Sequence, residues 1–139
     1  MANIVEKELS YEITGHCFKV QDKLGRFARE KQYCDELENR FKEAKIKYQR
    51  EYTLTKFVSE SPKGNRVDFL VEGRVVVDCK AKNFITKEDY YQMQRYLDAA
   101  KLELGLIVNF RDAHLKPKRV LNSSADSGHS DESSDSSDR

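Results

Sequence analysis

The stretch RVDFLVEGRVVVDCK, residues 66–80, is the feature that most constrains how this 139-residue chain can fold. Two runs rich in Val, Leu and Phe flank Glu72-Gly73, a pattern that predicts a β-hairpin. The same runs carry Asp68, Asp78 and Lys80. A carboxylate inside a strand core is costly unless a partner compensates its charge. Two carboxylates beside one lysine are suited to hold a divalent metal with an ammonium group next to it.

The length of the hairpin loop decides whether these charges can meet. Side chains alternate along a strand, so Asp78 and Lys80 share a face. A two-residue loop at Glu72-Gly73 would place Val77 opposite Asp68 and the two aspartates on opposite faces. A three-residue loop, with Gly73 left-handed, would bring Asp68 to the face of Asp78. Spacing alone leaves two interpretations equally open: a metal site, or a sheet with one wet, charged face.

The remaining pattern predicts helices and strands around this hairpin. The order is α-α-β-β-β-α-β, which favours the α/β or α+β class: a mixed β-sheet flanked by helices. Thr86 and Asp89 form a capping box that opens the third helix. Pro117 limits any strand near the end of the body to a sheet edge. The predicted elements are helices over about 6–24, 27–45 and 86–102, strands over 48–58 and 105–110 beside the hairpin, a loop over 61–65, and an edge strand within 114–121.

An acid lies in the seam of the second predicted helix. Its apolar stripe contains Phe27, Cys34, Leu37, Phe41 and Ala44. The missing turn of that stripe is Glu30, three residues after Phe27. Either Glu30 is a buried functional acid, or the stripe begins late and Glu30 lies at a wet helix end.

Composition narrows the class of protein. Charged residues make up 35% of the chain and hydrophobic residues 38%. No apolar run reaches the length of a membrane span and the first residues lack a signal-peptide core, so we expect a soluble, intracellular, cytoplasmic protein without a membrane partner. Cys17, Cys34 and Cys79 form no CxxC pair and are expected to be buried free thiols.

Charge divides the chain into two parts. Residues 123–139, SSADSGHSDESSDSSDR, carry a net −4, so residues 1–122 carry +5. A segment of Ser and Asp cannot bury enough surface to offset its ordering entropy. We therefore predict one domain over 1–122 and a disordered acidic tail over 123–139.

The charged residues together suggest phosphodiester chemistry. Mg²⁺ prefers a few carboxylates together with waters and phosphate oxygens, and a lysine beside it can orient or deprotonate a water. Gln92, on the third helix, would lie near this group. Nucleic acid is the partner that this chemistry and the basic body favour, with no small-molecule cofactor implied. Lys82, Lys87 and Arg95 would contact its backbone, although solvated basic side chains are the commoner case.

The pattern VD…DCK resembles the PD-(D/E)xK nuclease signature, whose core also has the order α-β-β-β-α-β. More narrowly, the chain resembles the small GxxExxY proteins assigned to that superfamily, over about residues 8–121. Glu30 and Tyr33 match the Glu and Tyr of the naming motif, whereas Phe27 stands where the motif has Gly. The matching segments are ELSYEITGHCFKV, LGRFAREKQY, RVDFLVEGRVVVDCKA, QMQRYL and LGLIVNF.

This resemblance implies a restriction-endonuclease-like core and a set of roles. Glu30, Asp68 and Asp78 would ligate Mg²⁺ or Mn²⁺, with the backbone carbonyl of Cys79 as a further ligand. Lys80 would be the catalytic lysine. Gln92, in the QxxxY element that ends at Tyr96, would position a water or a phosphate.

Two functions remain open at this stage. One is a metal-dependent nuclease or related phosphodiesterase that acts on DNA or RNA. The other is a catalytically silent module that keeps the fold and binds nucleic acid or protein. Retention of all five candidate residues favours the enzyme. A homodimer or another protein partner is compatible with either.

Overall fold

A computed structural model describes residues 4–53 and 66–122. The predicted strand residues 54–58, the predicted loop 61–65 and the predicted tail 123–139 lie outside the described residues. The helices and strands, numbered along the chain, are α1 Lys7–Leu24, α2 Glu30–Glu43, β1 Tyr48–Thr53, β2 Arg66–Val71, β3 Val75–Lys80, α3 Lys87–Ala100, β4 Leu104–Asn109 and β5 Lys118–Leu121.

The strands form one mixed sheet in the order β1-β2-β3-β4-β5. The β3 and β4 strands are parallel and adjacent, with α3 between them in the chain, and the other neighbours are antiparallel. This confirms the predicted class and element order. The predicted edge strand is β5, which follows directly after Pro117.

Helices cover both faces of the sheet. The larger core lies between the sheet and α1 and α2, and it contains Phe69, Val77 and Val108. The smaller core lies under α3 and contains Leu70, Val76 and Ile107. Because both faces are covered, all six residues of β4 are buried.

The hairpin has the odd-length loop that the metal interpretation required. Val71 pairs with Val75, so Glu72, Gly73 and Arg74 form a three-residue loop. Glu72 and Gly73 both have left-handed backbones, with φ of 54° and 66°. The two-residue alternative is therefore excluded.

The second helix begins later than predicted. Gly25 ends α1 with φ 79°, and α2 starts only at Glu30. Phe27 and Ala44, predicted on the buried stripe, are instead exposed; Phe27 retains 76% of its accessible surface. The prediction failed because the 3.6-residue spacing was extended across a connection whose first residue is a left-handed glycine.

Within the described segments, no helix has the length and apolar character needed to cross a membrane.

Candidate active site

The site lies where β2 and β3 stop pairing. The last paired residues on this side of the hairpin are Phe69 and Val77. Beyond them, Oδ2 of Asp68 accepts a hydrogen bond from the backbone N–H of Cys79 at 2.7 Å. A side-chain carboxylate thus takes over a donor that a regular ladder would have given to a backbone carbonyl.

The second strand is also irregular at Asp68. Val67 and Leu70 are three residues apart, yet both pack in the core beneath α3. On the other side of β2, the pairing with β1 is interrupted between Arg50–Phe69 and Tyr52–Val67, where Glu51 has φ 53°. A strand with strictly alternating side chains and continuous pairing would show neither feature. The β2 strand is therefore distorted at Asp68, the first candidate metal ligand.

Burial makes Asp68 an unusual acid. Desolvation, followed by the nearby charge of Asp78, raises the pKa of Asp68 to about 8. The two carboxyl groups also share a hydrogen bond, while the Cys79 N–H acts in the opposite direction. Near neutral pH, Asp68 is therefore protonated and hydrogen-bonded to Asp78.

Lys80 is fixed by acids from two elements. Its Nζ lies 3.0 Å from Oδ2 of Asp78 and 3.8 Å from Oδ1 of Asp89, and only 20% of its side chain is exposed. Burial alone would lower the pKa of Lys80, but the charges of Asp78, Asp89 and Glu30 outweigh it and the pKa is raised. The ammonium group therefore stays charged at neutral pH.

Asp89 is a residue of this site that the sequence analysis assigned only to a helix cap. The capping box forms as predicted, with the backbone N–H of Thr86 donating to Asp89 Oδ2 at 2.9 Å. The same oxygen lies 2.5 Å from Nζ of Lys82. Burial would raise the pKa of Asp89, but Lys82 and Thr86 outweigh it and the pKa is lowered. The sequence signal that could have placed Asp89 in the site was the presence of lysines close to this capping residue in the chain.

Glu30 lies at an exposed helix end, the second of the two interpretations that the sequence left open, and its functional role stays a prediction. It is the first residue of α2 and is exposed, as the wet-end interpretation requires. Its pKa is nevertheless raised, first by desolvation, while Lys80 acts to lower it and Asp78 to raise it. The start of α2 therefore lies close enough to Asp78 and Lys80 on β3 for Glu30 to interact with their charges.

Gln92, on α3, lies beside the acids Asp78 and Asp89. It lines a narrow pocket together with Asp78 and Asp89, under the buried ring of Tyr96. Gln92 is also engaged in a further interaction of its own. The predicted neighbourhood of Gln92 and Asp78 is thus present.

Two buried polar side chains hold the loops around this cleft. Tyr33 stacks on Phe110 at 4.3 Å, donates to the carbonyl of Gly25 at 2.5 Å and accepts from the N–H of Ala28. Asn109, 3% exposed, binds both backbone groups of Lys82, at 2.8 and 3.1 Å. Tyr33 therefore fixes the connection that leads into Glu30, and Asn109 fixes the chain after Lys80.

Comparison with known protein families decides the class. A family profile described as the PD-(D/E)XK nuclease superfamily matches residues 7–120. This chain belongs to the PD-(D/E)XK nuclease superfamily. A search of curated proteins and a search of solved structures each returned no match.

Membership of the superfamily gives the fold and the cleft a common explanation. The mixed sheet flanked by helices is a restriction-endonuclease-like core. Asp68, Asp78 and Lys80, the residues predicted to form the D…DxK signature, lie where the hairpin opens, and Lys80 pairs with Asp78 there. Nucleases of this superfamily act on nucleic acid and generally use a divalent metal.

The oxygen donors here fit a hard divalent cation, but they are not drawn tightly together. Asp68 and Asp78 share a hydrogen bond, and Glu30 interacts with both through its charge. Among the described residues, the group of three His, Cys, Asp or Glu side chains whose ligand atoms all lie within 4.8 Å of one another is instead Cys34, Asp68 and Cys79. The metal-ligand roles of Glu30, Asp68 and Asp78 stay predictions, as does that of the Cys79 carbonyl.

The three basic residues predicted to contact nucleic acid have different environments. Lys82 is paired with Asp89, and Arg95 lies 3.9 Å from Glu88. Lys87 is exposed and borders a pocket that also contains Tyr90 and Tyr91. Nucleic-acid contact by any of them stays a prediction.

A second basic group was missed by the sequence analysis. The guanidinium carbons of Arg26 and Arg111 lie 5.1 and 5.3 Å from the ring centre of exposed Phe27. Each arginine donates its Nε–H to the carbonyl of the other, at 2.7 and 2.8 Å. Arg111 is 85 residues from Arg26 in the chain, so spacing could not reveal this group; Phe27 in place of the motif glycine was the available signal.

Proposed function

We propose that this chain is a metal-dependent nuclease that hydrolyses phosphodiester bonds of DNA or RNA at the cleft between α2, β3 and α3. Glu30, Asp68 and Asp78 are assigned as ligands of Mg²⁺ or Mn²⁺, with the Cys79 carbonyl as a further donor. Lys80 is assigned as the catalytic lysine, and Gln92 as the residue that positions a water or a phosphate. The narrower resemblance to the GxxExxY proteins is part of this proposal.

The observation that carries the proposal is the pairing of Lys80 with Asp78. The two side chains are 3.0 Å apart and three-quarters or more buried. A buried ion pair seldom adds stability over apolar residues of similar volume, because desolvating both charges is costly. Placing one where two strands separate is therefore better explained by chemistry than by stability.

The donor set agrees with the proposed cation. Carboxylate and carbonyl oxygens suit Mg²⁺ and Mn²⁺. When bound, such a cation activates a water and neutralises negative charge that develops on the phosphate. The proton shared by Asp68 and Asp78 has to leave when both become ligands.

The protein's own residues supply the remaining functions. The Lys80 ammonium group, which stays charged, stabilises the phosphorane oxyanion and orients the attacking water. Asp89 holds Lys80 at 3.8 Å and Lys82 at 2.5 Å, so both amines remain on the α3 side of the cleft. Gln92 extends from α3 towards the same cleft and can hydrogen-bond a phosphate oxygen.

Nucleic acid would lie across the rim of the cleft. Phe27 offers an exposed ring to a base, and Arg26 and Arg111 beside it offer charge to phosphates. Exposed Lys87 would contact the backbone on the α3 side. Lys82 and Arg95 contribute less, because acids already pair with them.

A cleavage assay with one matched pair of variants tests the proposal. Supercoiled plasmid, single-stranded DNA and RNA are incubated with Mg²⁺ or Mn²⁺ and with the wild type, Lys80→Met or Lys23→Met. Lys23 on α1 forms an ion pair with Glu36 on α2 at 3.1 Å and serves as the control. We expect Lys80→Met to lose roughly 100-fold or more in rate and Lys23→Met to lose nothing.

The same assay separates the alternative function. A wild type that binds nucleic acid but cleaves none of the three substrates with either metal would support the silent binding module. Equal rates for Lys80→Met and the wild type would remove the catalytic role of the lysine.

A further inference from the structure

We propose that Cys34, Cys79 and Asp68 form a site for a thiophilic divalent cation, Zn²⁺ above all, directly beneath the acidic cleft. One helix, α2, and the two strands of the hairpin, β3 and β2, supply these residues. Two thiolates and one carboxylate are a ligand set that Zn²⁺ accepts in a tetrahedral site, with water as the fourth ligand.

Geometry is the first argument. The Sγ atoms of Cys34 and Cys79 and a carboxylate oxygen of Asp68 lie within 4.8 Å of one another. The two thiols are themselves in hydrogen-bond contact. Zinc bonds of about 2.3 Å to sulfur and about 2.1 Å to oxygen imply ligands roughly 3.5–3.8 Å apart. Small side-chain rotations therefore suffice to close the site.

The position of Asp68 is the second argument. Its Oδ2 is oriented by the backbone N–H of Cys79. On one side its carboxyl group meets Asp78 of the cleft, and on the other it meets the thiols of the larger core. This carboxylate is therefore shared between a group of oxygen donors and a group of sulfur donors.

Access is the third argument. Cys79 is fully buried and Cys34 is 4% exposed, whereas Asp68 is partly open to solvent. A cation therefore reaches the thiols past Asp68. As it binds, each thiol that becomes a ligand releases its proton to the solvent.

Occupation of this site has a consequence that rests on the proposed function. A thiophilic cation that takes Asp68 as a ligand withdraws it from the acidic cleft. Thiolates select Zn²⁺ over Mg²⁺, and Mg²⁺ prefers oxygen donors. Zinc would therefore switch off the magnesium-dependent activity without occupying the whole magnesium site.

A direct test uses Cd²⁺ as the probe and does not depend on nuclease activity. The full chain, kept reduced with a phosphine, is titrated with Cd²⁺ while the thiolate-to-cadmium charge-transfer band is followed in the ultraviolet. We expect the band to saturate at one Cd²⁺ per chain. Cys34→Ala and Cys79→Ala should each weaken it, whereas the matched control Cys17→Ala should keep it. No band in the wild type, or an unchanged band in both ligand variants, would overturn the proposal.

Asp68→Asn protects the test against variants that fail to fold. Its amide oxygen can still accept the Cys79 N–H, so the strand geometry is kept. We expect the charge-transfer band to remain and the Cd²⁺ affinity to fall. Affinity equal to that of the wild type would remove Asp68 from the ligand set.

A second arm tests the link to the cleft. One equivalent of Zn²⁺ should abolish the Mn²⁺-induced rise in the melting temperature of the wild type but not of Cys34→Ala. Persistence of the Mn²⁺ effect in zinc-loaded wild type would overturn the switch. If no protein responds to Mn²⁺, the proposed nuclease site fails while the cadmium result still stands.

Discussion

The two halves of the β2–β3 hairpin differ sharply although they are the same two strands. Near the turn, the pairs Val71–Val75 and Phe69–Val77 are regular and buried. Past Phe69, the backbone pairing ends and a carboxylate accepts the Cys79 N–H. One half is stabilised by apolar burial, and the other places charges where they raise one another's energy.

The contrast shows how a small domain can accommodate an unfavourable site. Asp68 and Asp78 repel each other when both are ionised, and the apolar side chains around them do not compensate their charges. We call the regular half near the turn the closed half and the half past Phe69 the open half. The closed half and the buried strand β4 beside it supply the apolar burial that offsets this cost. Substitutions in the closed half should therefore affect stability, and substitutions in the open half should affect metal response and catalysis.

The largest expected change in stability is in the closed half. Val77→Ala leaves a cavity between β3 and the larger core, because Val77 is fully buried. We expect a loss of about 2–3 kcal/mol in the free energy of unfolding, measured by urea denaturation. The change in melting temperature caused by Mn²⁺ should stay the same. A selective loss of that metal response would show that the two halves are not separable.

Asp68→Asn should produce a change in the open half that depends on pH. The folded pKa of about 8 lies above the ordinary value of 3.8, so the folded protein keeps a proton that the unfolded chain has lost. Stability from that proton is full below about pH 4 and is lost as the pH rises to about 8. The variant should therefore gain stability relative to the wild type as the pH rises from about 4 to about 8. Parallel pH profiles of the melting temperature would contradict this.

Tyr33→Phe tests the support of the open half from α2. The variant keeps the stacking on Phe110 but loses the hydroxyl bonds to Gly25 and Ala28. We expect a loss of about 1 kcal/mol and slower cleavage, because the connection into Glu30 is loosened. Tyr11→Phe, at a ring that is 77% exposed, is the control and should change neither.

Asp78→Asn should separate stability from metal binding most clearly. The variant removes one charge of a crowded pair, while Lys80 keeps Asp89 and Glu30 as partners. We expect the metal-free stability to change by about 1 kcal/mol or less. The stabilisation by Mn²⁺ should be lost, since a ligand that binds only the folded state stabilises it by mass action. Asp35→Asn, in an ion pair with Arg50, serves as the control; an intact metal response in Asp78→Asn would exclude Asp78 as a ligand.

Phe27→Ala should change stability least, by about 0.5 kcal/mol or less, because the ring is exposed. Its affinity for single-stranded nucleic acid should fall, since a base loses its stacking surface. Fluorescence anisotropy with a labelled oligonucleotide measures this, with Tyr11→Ala as the control. Unchanged affinity would remove Phe27 from the nucleic-acid surface.

The sequence predicted the structural features that depend on residues close together in the chain. The hairpin and the Thr86–Asp89 cap each depend on residues only a few positions apart, whereas the loop length was left open between two and three residues. Parity within the hairpin was enough to state what the metal interpretation required. The family resemblance added the roles of Glu30 and Gln92.

Features that depend on distant residues could not be obtained in this way. The contact of Cys34 with Cys79 joins positions 45 residues apart, and spacing suggested only isolated thiols. Phe27 was assigned to the core because periodicity does not register that a chain has left its helix. Asp89 was recognised as a cap, but its pairing with Lys82 depends on how α3 packs against the end of β3.

Gly105 in β4 also sets the height of α3 above the sheet. A methyl group at this position would overlap the thioether of Met93 on the helix. Any side chain there would have to push Met93 aside or lift the helix. Because α3 also carries Asp89 and Gln92, lifting it would widen the cleft and draw both residues away from Asp78. The lack of a side chain at Gly105, one strand away from Asp78, thus allows α3 to pack close to the sheet beside the cleft. We expect positions 93 and 105 to vary together or not at all.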